Sequence, residues 1–426
     1  MEDIVRKQIA DIMKQEVVPA TGCTEPGAVA LCVAKACTLL EEEPLHIALT
    51  LSKNVFKNAM GVGIPGTGMI GLPIAVAMAV THGDPARGLE VLTLQHSQVQ
   101  DAKGWLANHA DRIEIGVGEG DEKLHICCTV RSATHQATAI IARRHTLFVY
   151  LERDGQVLMD HSKGLDEQPA ETATSEPQLA LSARLVYDYA TTAPLQELLW
   201  LKEAVDYNSA AADCGLQGMG LHTGKILMEQ ARGDIVHTVV ARTAAASDAR
   251  MDGCTKAVYS NSGSGNQGIT CTLPPYYYGT LKGCSEEQIL RAMTMSHLMS
   301  IYIKRGIGRL SALCGIVNAT MGVAASLTYL EGGSFEQVGF ALKNMINTIA
   351  GMVCDGAKPS CALKMSVGLY SAFVCSELAV HGHVVDATDG LSENDLDSSI
   401  RNLGRLGKEG MDATDDCILD IMTHKH

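Results

Sequence analysis

Residues 309–319, RLSALCGIVNA, and 351–364, GMVCDGAKPSCALK, set three thiols, Cys314, Cys354 and Cys361, beside Gly and Pro in otherwise apolar sequence. Turn residues let a backbone carry sulfur up to a metal without a wall of bulky side chains. The flanking Ala, Leu, Ile and Met recur at helical spacing and are broken by glycines at 315, 332, 333 and 351. The same signal begins near Leu179, so residues 176–426 are expected to form a mostly helical domain into which the thiols are built. Three sulfur ligands on an iron–sulfur cluster would leave one iron open as a Lewis acid. Zinc is the rival metal. Three buried, inert thiols are the reading without any metal, because free Cys behaves as a small hydrophobe.

Upstream of this region the pattern changes. Residues 4–17 repeat Ile4, Ile9, Ile12, Met13 and Val17 near a 3.6 period, which predicts an amphipathic helix. A second, almost wholly apolar helix is expected from Pro26 to Leu40, with proline in the first turn, where its missing N–H costs nothing. LHIALTLS (45–52) reads as a strand, followed by a glycine-rich loop and a short helix to Val80. RIEIGVG, LHICCTV, ATAIIAR and TLFVYLE read as four further short strands. Residues 1–175 are therefore expected to form an α/β domain with a small sheet, and the fold class is α+β. The stretch from Gly164 to Glu176, rich in Glu, Thr, Ala and Pro, is the candidate linker.

Composition narrows the function. A chain of 426 residues with 46% hydrophobic and 4% aromatic content has ample material for two cores packed through aliphatic side chains. A net charge of −14 with no clustered Lys or Arg argues against a nucleic-acid partner. Apolar stretches such as Leu72–Val80 are too short to cross a bilayer, and MEDIVRKQIADIMKQEV lacks the apolar centre of an export signal. Fourteen cysteines in such a chain point to free thiols in a reducing cytoplasm. Low aromatic content and glycine loops leave a homo-oligomer open.

Three motifs carry candidate chemistry. In VVPATGCTEPGAVA (17–30), Cys23 precedes a helix N-terminus whose positive end favours thiolate, so it is a candidate base or nucleophile; a buried capping-turn Cys is the alternative. Glu25 suits the same dipole. In KNVFKNAMGVGIPGTGMIGLP (53–73), glycines with Lys53, Asn54, Asn58, Gly66 and Thr67 suggest a cradle for an anion, a carboxylate rather than a phosphate, with a purely structural loop as competitor. In YSNSGSGNQGITCTLPP (259–275), Asn261, Ser262, Ser264 and Asn266 form an anion nest ahead of a helix, or a polar surface loop. His297 reads as a satisfied core histidine, and Asp248, Arg250 and Asp252 as loop organisers. Lys358 and Lys364 either attract substrate and stabilise thiolates or lie on the surface.

Together, PATGCTEP, PGTGMIGLP, SGSGNQG and CDGAKPSC, in order from about Thr21 to Ala379, resemble the L-cysteine desulfidases, close relatives of the iron–sulfur L-serine dehydratases. RLSALCGIVNATMGVAASLTYLEGGSFEQV resembles the dehydratases' cluster-binding region. The resemblance implies a 4Fe–4S cluster held by Cys314, Cys354 and Cys361, no pyridoxal phosphate, and Cys23 as base. In the dehydratases the matching turn carries a histidine within a serine-rich motif, so Cys23 points to L-cysteine as the amino-acid substrate, cleaved to pyruvate, ammonia and hydrogen sulfide. The family's loop around Asn261 to Gly268 is where the substrate carboxylate or amino group is expected; with the anion cradle read from residues 53–73, the candidate substrate-binding set is Lys53, Asn54, Asn58, Gly66, Thr67, Asn261, Ser262, Ser264 and Asn266. An L-serine or L-threonine dehydratase is the nearest alternative. A non-enzymatic thiol or metal sensor that binds an amino acid belongs to a different class.

Overall fold

A computed structural model describes residues 1–120, 122–162, 179–308 and 311–424. The candidate linker 164–176 and the expected boundary at 175/176 lie outside the described residues. The chain is α+β. Its first part comprises α1 (Asp3–Glu16), β1 (Pro19–Ala20), α2 (Thr24–Leu40), β2 (His46–Leu51), α3 (Lys53–Ala59), β3 (Gly63–Ile64), β4 (Met69–Ile70), α4 (Leu72–His82) and α5 (His96–His109). Five strands follow, β5 (Ile113–Val117), β6 (His125–Arg131), β7 (Gln136–Ala142), β8 (Phe148–Arg153) and β9 (Gln156–Asp160).

These strands and β2 make one sheet of order β5-β2-β6-β7-β8-β9, antiparallel except for the parallel β2–β5 pair. The four strand-like runs of the sequence are β5 to β8. The fifth, β9, returns from β8 through Asp154 and Gly155, both at positive φ. Its exposed pattern gave no alternation to read. In β6, Ile126, Cys128 and Val130 point to the buried face while Cys127 and Thr129 point away, the period of two expected of a half-covered sheet. That face is covered by α2, which is buried nearly all round because α4 and the segment at 85–92 cover its other side.

From Ala183 the chain is helical: α6 (Ala183–Thr192), α7 (Leu201–Leu216), α8 (Thr223–Ala231) and α9 (Ile235–Met251), then the short β10 (Val258–Tyr259). There follow α10 (Gly265–Lys282), α11 (Glu286–Ile307), α12 (Gly315–Leu330), α13 (Phe335–Ile349), α14 (Cys361–Val380), α15 (Leu396–Arg405) and α16 (Asp412–Thr423). Helix α12 is the axis of this bundle, buried from Ile316 to Thr328 and packed by α10, α11, α13 and α14. Ile9, Ile12 and Met13 of α1, with Val17 just after it, join the helical core although α1 comes first in the chain; Ile4 is exposed. Helix α14 is by length and composition apolar enough to cross a membrane, a property that a reading keyed to Leu72–Val80 passed over; it packs on α9, α12 and α13.

The two cores meet along a seam with three kinds of contact. β1 pairs with β10. The glycine loop presses on the turn after α9: a Cβ on Gly63 would collide with the Asp252 backbone, and Gly66 N–H donates to Gly253 O (3.1 Å). Helix α16 supplies Asp415 to the buried Lys57 and Asp416 to Lys53.

Close approach also governs the bundle. Helix α9 carries Ala241, Ala244, Ala245, Ala246 and Ala249, and a Cβ on Gly215 of α7 would land on the Ala245 carbonyl. Gly215→Ala should therefore destabilise by roughly 1–3 kcal/mol through overpacking. Gly104→Ala, in α5 with open space around it, should be neutral or stabilising by up to about 1 kcal/mol. Paired urea unfolding curves check both.

Candidate active site

One cavity of ≈ 340 Å³ opens at the seam, and Cys23, Cys314, Cys354 and Cys361 all line it. Local structure explains how each thiol arrives. Cys23 is the N-cap residue of α2, Cys314 that of α12, and Cys361 the first residue of α14. Cys354 sits in the α13–α14 connection, which is stitched to the segment before α12: Leu313 bridges Val353, Cys314 N–H donates to Met352 O (3.0 Å) and Cys354 N–H to Ala312 O (2.6 Å). Two chain segments forty residues apart thus bring their sulfurs to one wall. Helix α10 also begins here, with Ser264 as its N-cap residue. Four helix N-termini face the cavity, each carrying roughly half a positive charge.

The electrostatics separate the thiols. The Cys314 thiol beside Cys354, aided by the Lys57 and Lys364 charges, pulls Cys354 down to about 6 against the penalty of burial. Cys314 is pushed up by the same partner and by burial. Burial raises Cys361. Burial also pushes Cys23 up to about 11, against the pull of the Arg250 guanidinium. Cys23 and Cys361 pack in one small apolar cluster with Val62, Met251 and Ala357.

A cluster fits this donor set. No group of three Cys, His, Asp or Glu side chains among the described residues stands as a site for a single metal ion. A cubane instead spreads its sulfur ligands around a body several atoms wide, and three thiols on the walls of one cavity suit that. Helix N-termini favour the anionic charge such a cluster carries.

The sequence-predicted binding residues divide. Asn58, Ser262, Ser264 and Asn266 line the cavity. Lys53, Asn54, Gly66, Thr67 and Asn261 are not among its wall residues. Lys53 faces Asp416 (2.5 Å). Thr67 Oγ1 donates to Ile64 O (2.7 Å) and closes the β3–β4 turn, in which Gly66 adopts φ +72°. The glycine loop therefore brings backbones together rather than cradling an anion. Asn261 is fully buried, and its Nδ2 donates to His297 Nδ1 (3.0 Å), while His297 Nε2 lies 3.0 Å from Thr272 Oγ1. His297 is the satisfied core histidine its apolar helix suggested.

Arg250 does more than organise a loop. It is buried, donates from Nη2 to Gly22 O (3.0 Å) and from Nη1 to Asn266 Oδ1 (3.3 Å), and so ties the Cys23 turn to the start of α10. Its guanidinium lies where a Cβ on Gly265 would stand. Asp248 and Asp252 accept from Gly224 and Gly220 and hold the turn before α8. Lys358 and Lys364 both pair with Asp355. The walls also include Glu25, Lys123, Arg143, His145 and Lys304. Arg143 and His145 come from the β7–β8 hairpin and carried no local signal, since only the tertiary fold turns that hairpin toward the helices.

Comparison with known proteins places the chain in a family. The family model described as serine dehydratase alpha chain matches residues 88–420. UPF0597 proteins align along the whole chain: that of Bacteroides fragilis at 47% identity over 100% of both chains, that of Phocaeicola vulgatus at 48% over 99% of this chain and 98% of its own, and that of Porphyromonas gingivalis at 44% over 100% of both. The chain belongs to the serine dehydratase alpha chain family. Membership points to a dehydratase-type lyase. Cys314, Cys354 and Cys361 fall inside the matched segment, whereas Cys23 precedes it.

Burial holds His297 down to about 3, well below its ordinary 6.5. Below pH 6.5 the unfolded chain takes up a proton that the folded chain refuses, so stability is complete above 6.5 and falls as pH drops toward 3, at most about 1.4 kcal/mol per pH unit. Urea unfolding between pH 7 and 4.5 should show a shallower acid slope in His297→Gln than in the wild type.

Proposed function

We propose that this protein is an iron–sulfur-dependent lyase that converts L-cysteine to pyruvate, ammonia and hydrogen sulfide. The observation that carries the reading is the meeting of Cys23 with Cys314, Cys354 and Cys361 in one cavity. Cys314, Cys354 and Cys361 would hold a 4Fe–4S cluster, which when bound supplies an open Lewis-acid iron for substrate oxygen or sulfur. All fourteen cysteines are free thiols, in keeping with a reducing cytoplasmic setting.

The chain's own groups supply the rest. Cys23 takes the proton from the substrate's Cα, and Arg250 stabilises its thiolate from the Gly22 side. The Ser262–Gln267 loop, with α10 behind it, receives the carboxylate. Loss of the Cα proton and of hydrosulfide from Cβ leaves aminoacrylate, which tautomerises and hydrolyses to pyruvate and ammonia. L-cysteine is favoured over L-serine by the thiol at position 23, where the resembling dehydratases carry histidine. Serine dehydration on the same site is the second reading, favoured by the family match.

Anaerobically purified protein should contain iron and acid-labile sulfide and release sulfide from L-cysteine. Pyruvate from L-serine without sulfide from L-cysteine would transfer the assignment to a dehydratase. Cys23→Ser should keep the visible absorption of the cluster and lower turnover by about 10²-fold or more. Cys354→Ala should lose the absorption itself.

A further inference from the structure

The cavity wall is rich in cationic and polar groups, and among the described residues only two carboxylates, Glu25 and Glu122, line it. They differ in setting. The Glu122 side chain is 42% exposed and stands 4.0 Å from Arg143. Glu25 is only 14% exposed, in the first turn of α2, two residues beyond Cys23. Its Oε1 accepts from Asn58 Nδ2 (3.2 Å) and lies 3.9 Å from His145 Nε2. Its Oε2 accepts no hydrogen bond from any described residue.

A half-buried carboxylate that keeps an acceptor turned to a cavity is a receptor for a cation. Helix N-termini, Arg250 and Lys304 give the same walls positive charge, so the complementary guest carries both charges. In an α-amino acid the ammonium is one bond from Cα, the atom at which a base at Cys23 would act. A receptor for that ammonium has to stand beside the base. Glu25 does, on the same helical turn, whereas the Ser262–Gln267 loop enters from α10, where Arg250 bonds Asn266.

We propose that Glu25 is the α-ammonium subsite, held in place by Asn58, and that it restricts this cavity to α-amino acids and against hydroxy acids and simple carboxylates. The proposal rests on the lyase reading for the identity of the reaction but not for the binding preference. Asn58 is a positioning residue, and His145 lies within reach to share the carboxylate when no substrate is present.

The test compares L-2-aminobutyrate with butyrate. They share a carboxylate and a carbon chain, neither has a group to eliminate, and they differ only in the ammonium. Calorimetric titration of the cluster-containing protein should give tighter binding of aminobutyrate, by tenfold or more. Glu25→Gln should erase that preference by weakening aminobutyrate alone, and Glu25→Asp should restore part of it. Equal weakening of both ligands in Glu25→Gln, or no preference for the amine in the wild type, including failure of both to bind, would overturn the subsite. Melting temperatures and visible spectra of the variants separate a folding or cluster defect from a lost ion pair. A wild type that prefers aminobutyrate through Glu25 yet turns over neither cysteine nor serine would keep the subsite and sink the lyase.

Discussion

Everything at this site depends on the convergence of four helix N-termini, those of α2, α10, α12 and α14, on one cavity between two cores. Each end exposes backbone N–H groups that its own helix cannot satisfy. Together with Lys123, Arg143, Arg250 and Lys304 on the same walls, they make a region that welcomes negative charge. The cluster and the substrate carboxylate proposed above would both find complementary charge there. The thiols sit at or beside these ends, so the elements that create the field also hold the ligands.

The seam makes the field possible. Helices that begin at one point must approach closely, and the glycines do this work: Gly63 against Asp252, Gly265 beneath Arg250, Gly315 against Gln267. The buried Lys57–Asp415 pair crosses the same seam, and the Lys57 charge helps pull Cys354 toward thiolate. A contact that joins the cores is thus also part of the site's electrostatics. Cys23 shows the opposing force. Beside Arg250 at a helix end, its thiol is still pushed up, because burial opposes a lone thiolate more strongly than the guanidinium favours it.

Much of this was legible from residues. Period-two alternation in LHICCTV and ATAIIAR marked β6 and β7, and the apolar run after Pro26 marked α2. Glycine and proline around Cys354 and Cys361 marked a turn entering a helix, which is where those thiols lie. The glycine loop allowed two readings, cradle or structural loop, because glycines that admit a ligand and glycines that admit a neighbouring backbone have the same sequence pattern. Lys53 and Asn261 were chosen for their chemistry, and each is turned to a protein partner instead, Asp416 and His297.

Sequence alone determined the local pieces: that the second part is helical, that helices run near residues 4–17 and from Pro26 to Leu40, and that Cys23 stands just before a helix N-terminus, since these follow from periodicity and capping within a few residues. Tertiary structure alone decided which of those ends meet, and with them the roles of Arg250, Glu25 and His145. Their partners lie at Gly22, Asn58 and across the sheet hairpin, 33 to 228 positions along the chain, and no local rule links residues that far apart.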